Sequence, residues 1–234
     1  MVRPEQEWPL PVFGLTGSIA SGKTTLGRML ADLGTEVIDA DSTAHRLVGR
    51  GRPAFRDIVR TFGRRILDRR GRIDRARLGG IVFRDPVARA RLEAILHPAV
   101  MAAIRRRVDR IARTRFCPVV IEAALLAESG YGELLDGTIV VVASRAAQID
   151  RLARLRGLSA DEARLRIRAQ WPSGRKSSAA RWIVPNDGSL DDLAREALGV
   201  HRGIARHPVT VQKRRAWTIS RLPVHGPPGV GSSR

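Results

Sequence analysis

The sequence is poor in aromatic side chains and almost without cysteine. Phe, Trp and Tyr make up 4% of the 234 residues, so a globular core here rests on Leu, Val, Ile and Ala. Cys117 is the single cysteine, which excludes an intramolecular disulfide and a cysteine-based metal cluster. Residues 1–9 are polar, hold Pro4 and Pro9 and contain no apolar h-region, so no secretory signal is expected there. No apolar run approaches the roughly 18 residues of a membrane span. A cytoplasmic protein with no membrane partner is the expectation. Lysine is scarce too: it occurs only at Lys23, Lys176 and Lys213, and every other basic side chain of this kind is arginine.

Hydrophobic residues make up 43% and charged residues 28%, the balance of a globular chain. The net charge is +19. Arginine-rich surfaces account for it most simply. Anionic ligands such as nucleotides are a second account. Nucleic acid is a third and is not the expected partner.

Leu10 to Leu15 read as a short buried strand, followed by a glycine-rich turn and a helix over residues 24–33 with Leu26, Met29, Leu30 and Leu33 on one face. Gly34 is a helix stop, and Val37-Ile38 begins a second strand. This order is a βαβ unit with parallel strands. Residues 42–113 read as mostly helical, a subdomain on the sheet. Asp85-Pro86 opens one helix, whose stripe Leu92, Ile95, Leu96, Ala99, Val100, Ala103 and Ile104 is expected to kink or split at Pro98. Val119-Val120-Ile121, Thr138 to Val142 and Trp182-Ile183-Val184 are further strands, apolar as in a parallel sheet buried on both faces. Ser159 to Glu162 form a capping box, and Ser189 caps a last helix. From residue 200 the apolar pattern fails. The stretch 200–234 holds seven Lys or Arg and no acidic residue, and is expected to be a disordered basic tail.

Gly17-Ser18-Ile19-Ala20-Ser21-Gly22-Lys23-Thr24 matches G-x-x-x-x-G-K-[ST]. The glycines let main-chain N–H groups converge on phosphate oxygens. Lys23 reaches the β- and γ-phosphates, and the Thr24 hydroxyl ligates Mg²⁺. The helix that follows, with Thr25 in its first turn, aims its positive end at the anion. Lys23 is thus one of three lysines in the chain and stands where a lysine is required.

Asp39 and Asp41 follow the second strand, where ligands of such sheets lie. One carboxylate can take the proton of an attacking hydroxyl while the other helps to hold magnesium-bound water. Equally, Asp41 or Ser42 can simply cap the next helix; spacing leaves this open. Arginines crowd residues 145–175, among them Arg151, Arg154 and Arg156. They can close over a nucleotide as a lid or form a solvated helix face.

Taken together, these segments resemble the dephospho-CoA kinase family. The resemblance is carried by Gly14 to Thr25, Val37-Ile38-Asp39-Ala40-Asp41, Leu92-Glu93-Ala94-Ile95-Leu96-His97-Pro98, Leu125 to Gly130, Arg156 to Ser159, Gln170-Trp171-Pro172 with Lys176, and Asn186 to Leu190. It implies an α/β P-loop three-layer fold: a five-stranded parallel sheet (core 10–41 and 117–199), a helical CoA-binding region over 42–113 and a lid over 145–176. It implies ATP- and Mg²⁺-dependent phosphorylation of the ribose 3′-hydroxyl of dephospho-CoA, with Asp41 as general base and residues 17–25 on the ATP phosphates. Thr24, with Asp39 as a further candidate, would serve the metal, and Asp39 and His97 fall in the substrate region. The chain departs from the family pattern at Ser18 and Ala20, usually glycine; at Ala124, usually proline; at Leu155, usually the lid arginine; and at Arg181 and Pro185, usually acidic. A different small-molecule P-loop kinase, or a non-catalytic relative binding nucleotide or nucleic acid, are the alternatives.

Overall fold

A computed structural model describes residues 8–124, 126 and 131–207. Five strands, β1 (Val12–Gly17), β2 (Glu36–Asp39), β3 (Val119–Glu122), β4 (Thr138–Val142) and β5 (Trp182–Pro185), form one parallel sheet in the order β2-β3-β1-β4-β5. All five stand where apolar patterning places them. Every residue of β1 and β3 is buried, which is why these strands read as apolar runs rather than alternations. The described chain forms two compact units, one of residues up to 41 and from 105 onward, the other of residues 42–104.

In the first unit, α1 (Lys23–Asp32) and α9 (Leu190–Ala205) pack on the sheet. Leu26 and Leu30 of α1 meet Leu193, Ala197, Val200 and Ile204 of α9 over Phe13, Leu15, Val120, Ile139, Val141 and Val184. Leu26 and Leu30 are fully buried, each stabilising the fold by roughly 2 kcal/mol. Helix α1 ends as Gly34 predicts. Gly34 takes φ 95°, its N–H donates to Ala31 O, and the Thr35 N–H donates to Leu30 O, a Schellman closure. The helices α6 (Arg145–Arg156), α7 (Ala160–Arg168) and the single turn α8 (Ser173–Ser177) fill the connection from β4 to β5. Ser159 and Ser189 make the capping boxes that open α7 and α9.

The second unit holds most of α2 (Ala40–Leu47), α3 (Pro53–Phe62), α4 (Arg75–Arg84) and the first turns of α5 (Pro86–Ala112). Ile58, Phe62, Ile66, Leu78 and Ala88 are its buried core, with Leu92, Ile95 and Leu96 packed against it. Asp85 opens α5 by accepting from the Val87 and Ala88 N–H groups.

Two expectations change. Of the kink or split expected at Pro98, the split does not occur: helix α5 is one element of 27 residues with Pro98 inside it. The last helix does not stop at 199: α9 runs to Ala205 and buries Val200 and Ile204. Gly199 and Gly203 hid this continuation. Gly203 packs against the Trp182 ring, where a Cβ would sit 3.0 Å from its Nε1 and the ring would have to give way. Residues 208–234, the rest of the expected tail, lie outside the described residues, as do Leu125 and residues 127–130.

Candidate active site

The site is built at the carboxyl ends of β1, β2 and β3. β1 runs into the glycine-rich loop, and the register sets Asp39 of β2 directly beside Glu122 of β3, with Leu15 of β1 on the other side. Two carboxylates therefore stand at the same edge of the sheet as the loop.

Two of the loop's glycines are sterically required. A Cβ on Gly17 would lie 2.5 Å from Ser21 Oγ and 2.6 Å from Val141 O; one on Gly22, at φ 97°, would lie 2.0 Å from Asn186 Nδ2. Gly22 is also the N-cap of α1, which has no side-chain cap and no acidic residue in its first turn. The positive helix end is left facing the loop. Ala20 is the one residue other than glycine with positive φ among the described residues, at 58°. An L-residue is thus held left-handed in the loop, the conformation that favours glycine.

Side chains from distant elements hold this loop. Gln148 Nε2 donates to Ile19 O at 2.8 Å, and Gln170 Oε1 accepts from the Ile19 N–H at 2.7 Å. The Arg151 guanidinium donates to Ala20 O, Ser21 O and Asn186 O at 3.2, 3.4 and 2.7 Å. Asn186 Nδ2 donates to Ser21 O at 2.7 Å. Ser18 Oγ lies 3.2 Å from Ser173 Oγ, so the other departure from glycine is met by a hydroxyl in α8. Of the three arginines expected in a lid, Arg151 thus grips the loop's carbonyls. Arg154 pairs with Asp150 one turn away, and Arg156 is exposed at the end of α6. Leu155 is 80% exposed.

Lys23 and Thr24 converge on a residue outside the loop motif. Glu122 Oε1 accepts from Lys23 Nζ and from Thr24 Oγ1, both at 2.7 Å, and Glu122 is buried. Its signal was present: an apolar β-branched strand ending in a carboxylate. Asp41, in the first turn of α2, has its carboxyl raised above the ordinary aspartate value of 3.8, chiefly through desolvation by the surrounding protein. Lys23 and the Ala124 N–H pull it back down, while Asp39 and Glu122 push it up. Lys23, Thr24, Glu122, Asp39 and Asp41 are thereby one electrostatic group. His97 belongs to the other unit, on α5; burial lowers its pKa against a smaller opposing influence of Glu93.

A family model for dephospho-CoA kinase matches residues 11–192. The chain belongs to the dephospho-CoA kinase family. It is 41% identical over 187 residues to the dephospho-CoA kinase of Geobacillus kaustophilus, covering 80% of this chain and 93% of that one. It is 46% identical over 180 residues to that of Symbiobacterium thermophilum, covering 77% and 75%. Among solved structures it is similar to TT1252 from Thermus thermophilus, with TM-score 0.72 and 34% identity over 83% of this chain and 97% of that one. It is also similar to the dephospho-CoA kinase from Campylobacter jejuni, with TM-score 0.61 and 29% identity over the same shares. Among the described residues no helix is long and apolar enough to cross a membrane.

Proposed function

We propose that this protein transfers the γ-phosphoryl group of ATP to the ribose 3′-hydroxyl of dephospho-CoA, giving CoA and ADP. The observation that carries this is the joining of a phosphate cradle to a proton-accepting carboxyl, Asp41, whose strongest opposing charge is the cradle's own Lys23.

The main-chain N–H groups of residues 17–25 hold the phosphates. The Ser21 hydroxyl supports this: it is buried in the loop with no hydrogen-bond partner among the described residues, a polar group that a phosphate oxygen would satisfy. Lys23 leaves Glu122 for the β- and γ-phosphates. Asp41 takes the 3′-hydroxyl proton as the new O–P bond forms, and the bond from the γ-phosphorus to the β-phosphate oxygen breaks.

The residues present fit Mg²⁺. Thr24 and Glu122 offer hard oxygen donors already 2.7 Å apart, and Asp39, beside Glu122 in the sheet register, would hold a metal-bound water. Among the described residues no three His, Cys, Asp or Glu side chains form a cage, so the ion would share its shell with phosphate oxygens and water, as Mg²⁺ does in such sites. Bound there it would draw charge off the phosphoryl oxygens.

The test is direct: purified protein with Mg-ATP and dephospho-CoA is assayed for CoA by mass spectrometry. No CoA above background defeats the proposal. Faster turnover of another hydroxylated acceptor would assign a different small-molecule kinase. Lys23→Met should abolish the activity with the fold intact.

A further inference from the structure

Lys176 has no role in the steps above, yet it is one of the most deeply buried polar residues of the chain, 3% exposed on the short helix α8. Burying an ammonium costs several kcal/mol, and a methionine would fill the space without that cost. Its contacts point to a reason. Lys176 Nζ donates to Ala124 O at 3.3 Å. The same oxygen accepts from the buried Thr16 Oγ1 of β1, also at 3.3 Å. The N–H of Ala124 is in turn the main-chain group that reaches the Asp41 carboxylate. The main chain at Ala124 is therefore a junction: two donors hold its carbonyl from β1 and α8, and its N–H holds the acid at the start of α2.

We infer that Lys176 is a positioning residue for Asp41, acting through the main chain of Ala124. The inference rests on Asp41 being the general base. Ala124 lies just past β3 in a turn, where the ladder bonds of the sheet no longer fix the backbone. Lys176 supplies a replacement anchor. The stretch that carries it is also fastened to the phosphate loop, through Gln170 to the Ile19 N–H and Ser173 to Ser18. Residues 170–176 thus tie the nucleotide loop and the base to one short segment.

The test is Lys176→Met and Lys176→Arg in the full chain, alone and combined with Asp41→Asn, with rates read by CoA formation. Lys176→Met is expected to lower kcat by about 10-fold with KM for ATP and for dephospho-CoA within about 3-fold, because only the oriented state of the base is lost. Lys176→Arg should recover most of the rate. On the Asp41→Asn background the same Met substitution should cost less than about 2-fold, because residues acting as one unit are not additive. An equal loss on both backgrounds overturns the inference. So does a raised KM for ATP at unchanged kcat, which would make Lys176 a phosphate ligand instead. If Lys176→Met does not fold, Ala124→Pro decides: it removes the N–H, and a folded variant with the parent kcat overturns the inference equally. A parent protein that makes no CoA refutes the proposed function itself, a result separate from these ratios.

Discussion

Replacing Ala20 by glycine should make this protein more stable, although the substitution deletes a methyl group and adds freedom to the unfolded chain. Ala20 sits at φ 58°, where the Cβ of an L-residue crowds the following carbonyl at a cost of about 1–2 kcal/mol. Glycine removes that cost and brings back about 0.4–1 kcal/mol of unfolded-chain entropy. The difference favours glycine by about 0.5–1 kcal/mol. At about 2–4 °C per kcal/mol for a chain of this size, Tm should rise by about 1–4 °C. Gly34→Ala is the mirror experiment. Gly34 lies at φ 95° with nothing within 4 Å of a built Cβ, so backbone strain less the same entropy term should lower Tm by about 1–4 °C. Thermal unfolding of the nucleotide-free protein, followed by tryptophan fluorescence, reads both. ATP affinity of Ala20→Gly should stay within about 3-fold, since the loop already has the geometry glycine would adopt. A Tm at or below the parent's for Ala20→Gly, with Gly34→Ala falling as expected, would refute the claim that the loop is strained.

Four further outcomes follow. Asp41→Asn should lower kcat by about 10²–10⁴, the range of general-base catalysis, with ATP affinity retained in a calorimetric titration; parallel loss of ATP binding would contradict the assignment. Because the Asp41 carboxyl is raised by desolvation and must be ionised to accept a proton, kcat/KM should fall on acidification at a higher pH than an ordinary aspartate would give. Arg151→Met removes three donations to main-chain carbonyls and should cost about 2 kcal/mol in urea unfolding while raising KM for ATP several-fold. Glu122→Gln leaves the Lys23 ammonium beside a neutral acceptor in a buried pair; it should destabilise the nucleotide-free protein by about 1–3 kcal/mol and raise the Mg²⁺ needed for half-maximal rate.

What could be read without coordinates, and what could not, divides by the range of the interaction. The five strands, the βαβ order, the cap at Ser159, the stop at Gly34 and the phosphate loop are all written in contiguous residues. Each rests on a short-range rule: apolar runs where both faces of a strand are buried, a hydroxyl three residues before a carboxylate, a glycine where φ is positive. The loop also named its own lysine and hydroxyl, because phosphate binding demands fixed residues at fixed spacing. The end of α9 was missed for the same reason. Two glycines broke its apolar stripe, and one of them packs against the Trp182 ring, a residue 21 positions earlier. Glu122 pairs with Lys23 across 99 residues, and Gln148, Gln170 and Asn186 reach the loop from 129, 151 and 165 residues away. Local pattern can mark such residues but not whom they meet, because sheet register and the packing of α6 to α8 decide which polar side chains come together. The sequence alone picked out residues 17–24 as a phosphate-binding pattern. Only the tertiary structure decided what grips that loop, which carboxylate faces its lysine, and that Ala20 is held left-handed, because each depends on groups that folding alone brings together.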